Sequence, residues 1–166
     1  MKGRTLFTFL AALFLLVGTC GAEEIGSESD FWMECSQEFG RANWRVFRPK
    51  SESLNGLGFL IKTELEHPFG DLKPSRVLGE LYKEIGQLKV MGQKRTTFAD
   101  KEAVVLSFRG QLDSQPLAGR ALIFPSGTGS GVLLLLRHQK SDERLPAAFD
   151  RLHQQGLDSL PAESRE

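Results

Sequence analysis

The stretch Glu64-Leu65-Glu66-His67-Pro68-Phe69-Gly70-Asp71 sets one histidine among three carboxylates. An imidazole beside a carboxylate is a common pair for moving protons, because its ordinary pKa of about 6.5 lies close to neutral pH. Pro68 and Gly70 also mark a turn, and a solvated, charge-rich loop is the plainer account of the same residues. His138 and His153 stand far from His67 and from each other, without the paired spacing of metal ligands. No metal or catalytic residue is assigned, no cofactor is expected, and the chain is read as a non-enzyme.

Three further patterns carry possible chemistry. Gly127-Thr128-Gly129-Ser130-Gly131 looks like a phosphate cradle, but such loops lead from a strand into a helix whose N-terminal N–H groups hold the anion. Here the flanking residues are strand-like on both sides and no lysine follows, so a hairpin turn is expected. A G-x-S-x-G nucleophile elbow is absent, and Ser107 and Ser130 are ordinary in a strand and a turn. Arg109, Arg120 and Arg137 fall on three successive expected strands and form a candidate anion patch if they share a face. Outward-facing arginines at strand ends would be the plain alternative.

The chain has 166 residues and two cysteines, Cys20 and Cys35. Met1-Lys2-Gly3-Arg4 is basic, Leu6 to Val17 is apolar but for Thr8, and small residues follow. This is the layout of a secretory signal, and the apolar run is shorter than the roughly 20 residues of a membrane span. Two cuts are open. Cys20-Gly21-Ala22 suits general cleavage before Glu23, giving a signal peptide of residues 1–22. Val17-Gly18-Thr19-Cys20 resembles a lipobox, which would end the leader at residue 19 and attach lipid to Cys20, although Thr19 sits where Gly, Ala or Ser is usual. The product is periplasmic or secreted in the first case and a membrane-anchored lipoprotein in the second. Residues 23–30 (EEIGSESD) form a polar tether of at most ~30 Å, at about 3.5 Å per residue. Either cut leaves Cys35 unpaired, and its setting in Phe31-Trp32-Met33-Glu34 suits a small core residue.

Residues 31–166 are expected to form one domain, long enough for a single core. Loss of residues 1–22 removes Lys2 and Arg4, so 21 basic and 21 acidic residues become 19 and 21. That balance excludes a basic nucleic-acid binder. Membrane contact is expected only through lipid at Cys20, and an envelope protein is the expected partner.

The positioning elements follow from periodicity. Trp44 to Arg48 and Leu57 to Glu64 read as strands around a turn at Ser51 to Gly56, where Asn55-Gly56 favours positive φ. From Pro74 to Leu88, Val77, Leu78, Leu81, Ile85 and Leu88 recur at helical spacing, interrupted by Gly79 and Gly86. Lys89 to Phe98, Glu102 to Leu112 and Leu117 to Phe124 alternate as strands, with turns at Ala99-Asp100 and Asp113 to Pro116. A turn over Pro125 to Gly131 precedes Val132-Leu133-Leu134-Leu135-Leu136, whose unbroken apolar run requires cover on both faces and a central place in the sheet. The closing helix is expected from Leu145 to Leu160, with Ser141 or Asp142 placed to cap it. The fold class is α+β, an antiparallel sheet packed against helices.

From Trp44 to Leu160 this layout resembles the PsbP-like family, which includes an extrinsic photosystem II protein and periplasmic DcrB-like proteins. The residues that carry the resemblance are Phe98 to Phe108 (FADKEAVVLSF), the strand pair Gln111 to Phe124, Val132 to Leu136, and Phe149 to Leu160 (FDRLHQQGLDSL). It implies an α/β/α sandwich and a non-catalytic accessory or binding role; no family site residues match. The expected function is therefore an exported, non-enzymatic envelope accessory or binding protein. A small-ligand carrier with a cleft between helix and sheet is the alternative, and a hydrolase with a dispersed site centred on His67 is a further one.

Overall fold

The apolar run Val132 to Leu136 lies in the middle of a seven-stranded antiparallel sheet, as the fourth strand from either edge. In the computed structural model the described residues are 31–35, 43–71, 73, 76–79, 85–157 and 160–161. The leader, both cleavage sites, Cys20 and the tether lie outside them. The strands are β1 (Trp32–Glu34), β2 (Trp44–Pro49), β3 (Gly58–Leu65), β4 (Gly86–Phe98), β5 (Lys101–Leu112), β6 (Gln115–Ser126) and β7 (Gly129–His138). A 3-10 turn occupies Phe69–Asp71, and the helix α1 spans Arg144–Gln155. Spatial order is β1-β2-β3-β7-β6-β5-β4.

Successive side chains of a strand point to opposite faces, so β7 supplies two cores at once. Val132, Leu134 and Leu136 join Trp44, Val46, Phe59, Ile61, Leu106 and Phe108 in the first core. Val77, Leu78 and Ile85, from the segment that crosses from β3 to β4, cover this face. Leu133 and Leu135 enter the second core with Phe47, Leu60, Leu122 and Phe124, covered by Leu145, Ala148, Phe149 and Leu152 of α1. Cys35 is buried in the first core.

Three tight turns link β4 to β7. Ala99-Asp100 and Asp113-Ser114 have positive φ at both positions (48° and 60°; 48° and 67°), the backbone that matches the twist of a two-residue hairpin. The third turn is shorter than expected. β6 runs on to Ser126 and β7 starts at Gly129, with Ser126 opposite Gly129 and Pro125 opposite Ser130. Only Gly127-Thr128 remains, with Gly127 at φ 53°. The other two glycines serve packing: a Cβ on Gly129 would lie 2.2 Å from the Leu65 carbonyl oxygen, and one on Gly131 would lie 2.3 Å from the Phe124 ring. What looked like a phosphate cradle is a close-packed hairpin.

Two helices differ from expectation. Among the described residues, helix is present at 76–79, while β4 begins at Gly86 and places Leu88 on a strand. Ile85 lies against the backbone of β5, where a Cβ on Gly110 would come within 2.5 Å of its Cγ2. Sheet packing thus overrides the helical spacing there. At the C-terminus α1 stops at Gln155, because Gly156 turns the chain at φ 86°. Leu160 still reaches the second core, but from beyond the helix. At the start of α1 the N-cap is Glu143, whose side chain makes no capping bond, while Asp142, one residue earlier, accepts the Arg144 N–H at Oδ1 (2.8 Å). Ser141 instead accepts from Arg137.

Candidate binding cleft and arginine row

Where β3 leaves the sheet, the first core opens into a cleft of about 270 Å³. Trp44, Ile61, Val132 and Leu134 form its sheet side, and Val77 of the helical turn closes it from above. These positions are neighbours by register: Trp44 pairs with Thr63, Thr63 with Val132, and Ile61 with Leu134. Asn43, Thr63, Glu64, Glu66 and His67 line the mouth. Thr63 is fixed there, its hydroxyl donating to the Asn43 carbonyl at 2.9 Å. An apolar base with a few polar groups at the opening is the usual make-up of a small-molecule site.

The His67 chemistry does not assemble. Its side chain is exposed, and no hydrogen bond or ion pair joins its ring to a described carboxylate. Its contribution is backbone: the buried Ser130 hydroxyl donates to the His67 carbonyl at 2.7 Å and ties the loop to β7. Glu64 accepts from Ser126 at 3.0 Å. Asp71 sits in the 3-10 turn. His138 is half-buried at the end of β7, and loss of solvent holds its pKa below the usual value. His153 bridges α1 to β4, with Nε2 at 3.0 Å from the Thr97 carbonyl and 3.2 Å from the Thr96 hydroxyl. Among the described residues, no group of three or more His, Cys, Asp and Glu is arranged to hold a metal.

Arg109, Arg120 and Arg137 do share a face, the one that carries the second core, because each follows the alternation of Val105, Leu122 and Leu135 on its strand. Arg109 and Arg137 both pair with Ala118, from opposite sides. Arg120 lies one pleat further along β6 and makes two hydrogen bonds to Asp150 of α1. Arg109 is exposed. On β4, Lys89 faces Arg109 and extends the basic row.

Sequence reasoning missed the Glu34–Arg45 pair. Arg45 donates from Nε and Nη2 to the two Glu34 oxygens (3.1 and 2.7 Å), from Nη2 to the Pro161 carbonyl (2.8 Å), and lies over the Phe47 ring. A partner 116 positions away leaves no local signal.

The chain is thus a single antiparallel sheet with helical residues packed on both faces. No protein-family model and no curated protein matches the sequence. Among solved structures, the chain is similar to PA94 of Pseudomonas aeruginosa, a protein of unknown function and putative regulator. Identity is 13%, coverage 75% of this chain and 87% of that one, and the TM-score 0.50. It is also similar to cyanobacterial PsbP of Synechocystis sp. PCC 6803, at 10% identity over 84% and 96% of the chains with a TM-score of 0.46. LpqN of Mycobacterium tuberculosis, involved in cell envelope biogenesis, gives 18% identity over 75% and 76% with a TM-score of 0.38. At 13% identity the likeness to PA94 is one of fold alone. No helix among the described residues is long and apolar enough to cross a membrane.

Proposed function

We propose that the protein is an exported, non-enzymatic binding protein of the bacterial envelope, and that it holds a small, largely apolar molecule in the cleft between the helical turn and the sheet. The observation that carries this reading is the cleft itself: Trp44, Ile61, Val77, Val132 and Leu134 enclose apolar space next to a polar mouth. The volume suits a small ligand rather than a lipid with long chains. The test is native mass spectrometry of protein isolated from its host's envelope fraction. An additional small-molecule mass is expected, and it should be absent from Val132→Phe, which fills the cleft, provided that circular dichroism shows an intact fold. Protein that carries no such mass, and whose thermal stability no apolar compound raises, would end the proposal.

A second reading, an accessory protein with an envelope partner, draws on the edge strand β4. Its Val90 and Met91 are 44% and 51% exposed beside Lys89. Crosslinking in the host separates the two readings, since an accessory role requires one protein to be captured repeatedly through β4.

A further inference from the structure

The second-core face ends, beyond α1, in a basic corner that the cleft does not use. Register fixes its geometry: Arg109 on β5 and Arg137 on β7 stand on the two sides of Ala118 on β6. With about 5 Å between neighbouring strands, their Cα atoms are roughly 10 Å apart. Two side chains as long as arginine can close that distance over a residue as small as alanine. Arg137 is held at one end, its Nη1 donating to the Ser141 hydroxyl at 3.1 Å and to the His138 carbonyl at 3.4 Å. Its Nε and Nη2 make no hydrogen bond to any described residue, and the Arg109 side chain makes no hydrogen bond or ion pair to one. Of the three arginines, Arg120 alone has an acid partner among the described residues, Asp150.

We propose that Arg109 and Arg137 form a clamp for a phosphate group seated over Ala118, with Lys89 adding positive charge from β4. Guanidinium groups bind phosphate oxygens in pairs through parallel N–H donors, and two arginines flanking one alanine offer two such forks. Phosphate of this kind occurs both in soluble phosphate compounds and in anionic phospholipid headgroups. The clamp and the cleft lie on opposite faces of the sheet, so the failure of one reading leaves the other standing.

The experiment has two arms, both with the mature protein. In the first, inorganic phosphate is titrated against chloride at constant ionic strength while thermal stability and backbone amide shifts are followed. Phosphate is expected to raise the melting temperature and to shift the amides of residues 109, 118 and 137. Arg109→Gln should weaken the response at least fivefold; this exposed side chain makes no hydrogen bond or ion pair to a described residue, so little of the fold rests on it. Ala118→Glu should abolish the response by placing its own carboxylate between the arginines. In the second arm, vesicles of phosphatidylcholine with and without phosphatidylglycerol are sedimented with the protein. Retention by the anionic vesicles that is lost in Arg109→Gln assigns the clamp to a headgroup. A phosphate response without retention assigns it to a soluble phosphate compound. No response in either arm, or an equal response in Arg109→Gln, overturns the clamp.

Discussion

Arg120 on β6 donates two hydrogen bonds to the Asp150 carboxylate on α1, at 2.7 and 2.9 Å, and so joins the helix to the sheet beside the second core. Both side chains are well exposed, 37% and 51%, so water screens the pair. Asp150→Ala is expected to cost under about 1 kcal/mol in urea unfolding. It should also release Arg120 toward the basic corner. Its phosphate response is therefore expected to rise above that of the wild type, measured in the same titration as the clamp.

The Glu34–Arg45 pair behaves differently because it is more enclosed, with side-chain exposures of 25% and 19%. Arg45 connects β1, β2 and the segment at Pro161, so its removal deletes two hydrogen bonds to the Glu34 carboxylate and one to the Pro161 carbonyl. Arg45→Ala is expected to cost about 2–3 kcal/mol by urea unfolding. Limited proteolysis should cut the C-terminal segment after Gln155 faster than in the wild type.

The hairpin of β6 and β7 separates glycines by task. Gly129→Ala places a Cβ against the Leu65 carbonyl oxygen, a backbone atom that moves only with β3. A cost of about 1–3 kcal/mol is expected. At Gly131 the obstacle is the Phe124 ring, and at Gly127 it is the positive φ rather than a neighbour. Thr128→Ala meets neither obstacle and should fall within about 0.5 kcal/mol of the wild type. A set of four melting curves checks the ranking.

Much of the sheet is legible in the sequence because its signals are local. The doubly apolar run Val132 to Leu136 announces a central strand, and Asp113-Ser114 and Asn55-Gly56 announce turns within a few residues of their partners. The helix expected from Pro74 to Leu88 fails at its end for a nonlocal reason: Ile85 and Leu88 keep helical spacing, but β5 pulls this part of the chain into a strand, with Gly86 opposite Gln111. The same limit applies to the sites. That Arg109, Arg120 and Arg137 share a face follows from strand parity, which can be counted in the sequence. That Ala118 lies between two of them, and that Asp150 occupies the third, depends on register and on where α1 docks. A cleft between helix and sheet could be expected from the sequence, but its lining could not, since Trp44, Thr63 and Val132 meet across three strands.

His138 gives the fold a pH dependence whose sign can be worked out. Burial disfavours the charged imidazole, so its pKa in the folded protein lies below the value of 6.5 it has in the unfolded chain. Below that value the unfolded chain binds more protons than the folded one, and protonation favours unfolding. Stability from this group is complete above pH 6.5 and declines as pH falls toward the folded pKa. Asp142, held below the usual carboxylate range by its hydrogen bonds to Arg144, acts in the same direction but at lower pH, beginning below its unfolded value of 3.8. Urea midpoints at pH 7.5 and pH 5.5 therefore isolate the histidine. The wild type should lose stability between them, and His138→Gln should lose measurably less. An identical loss in both proteins would show that His138 is not the group that titrates.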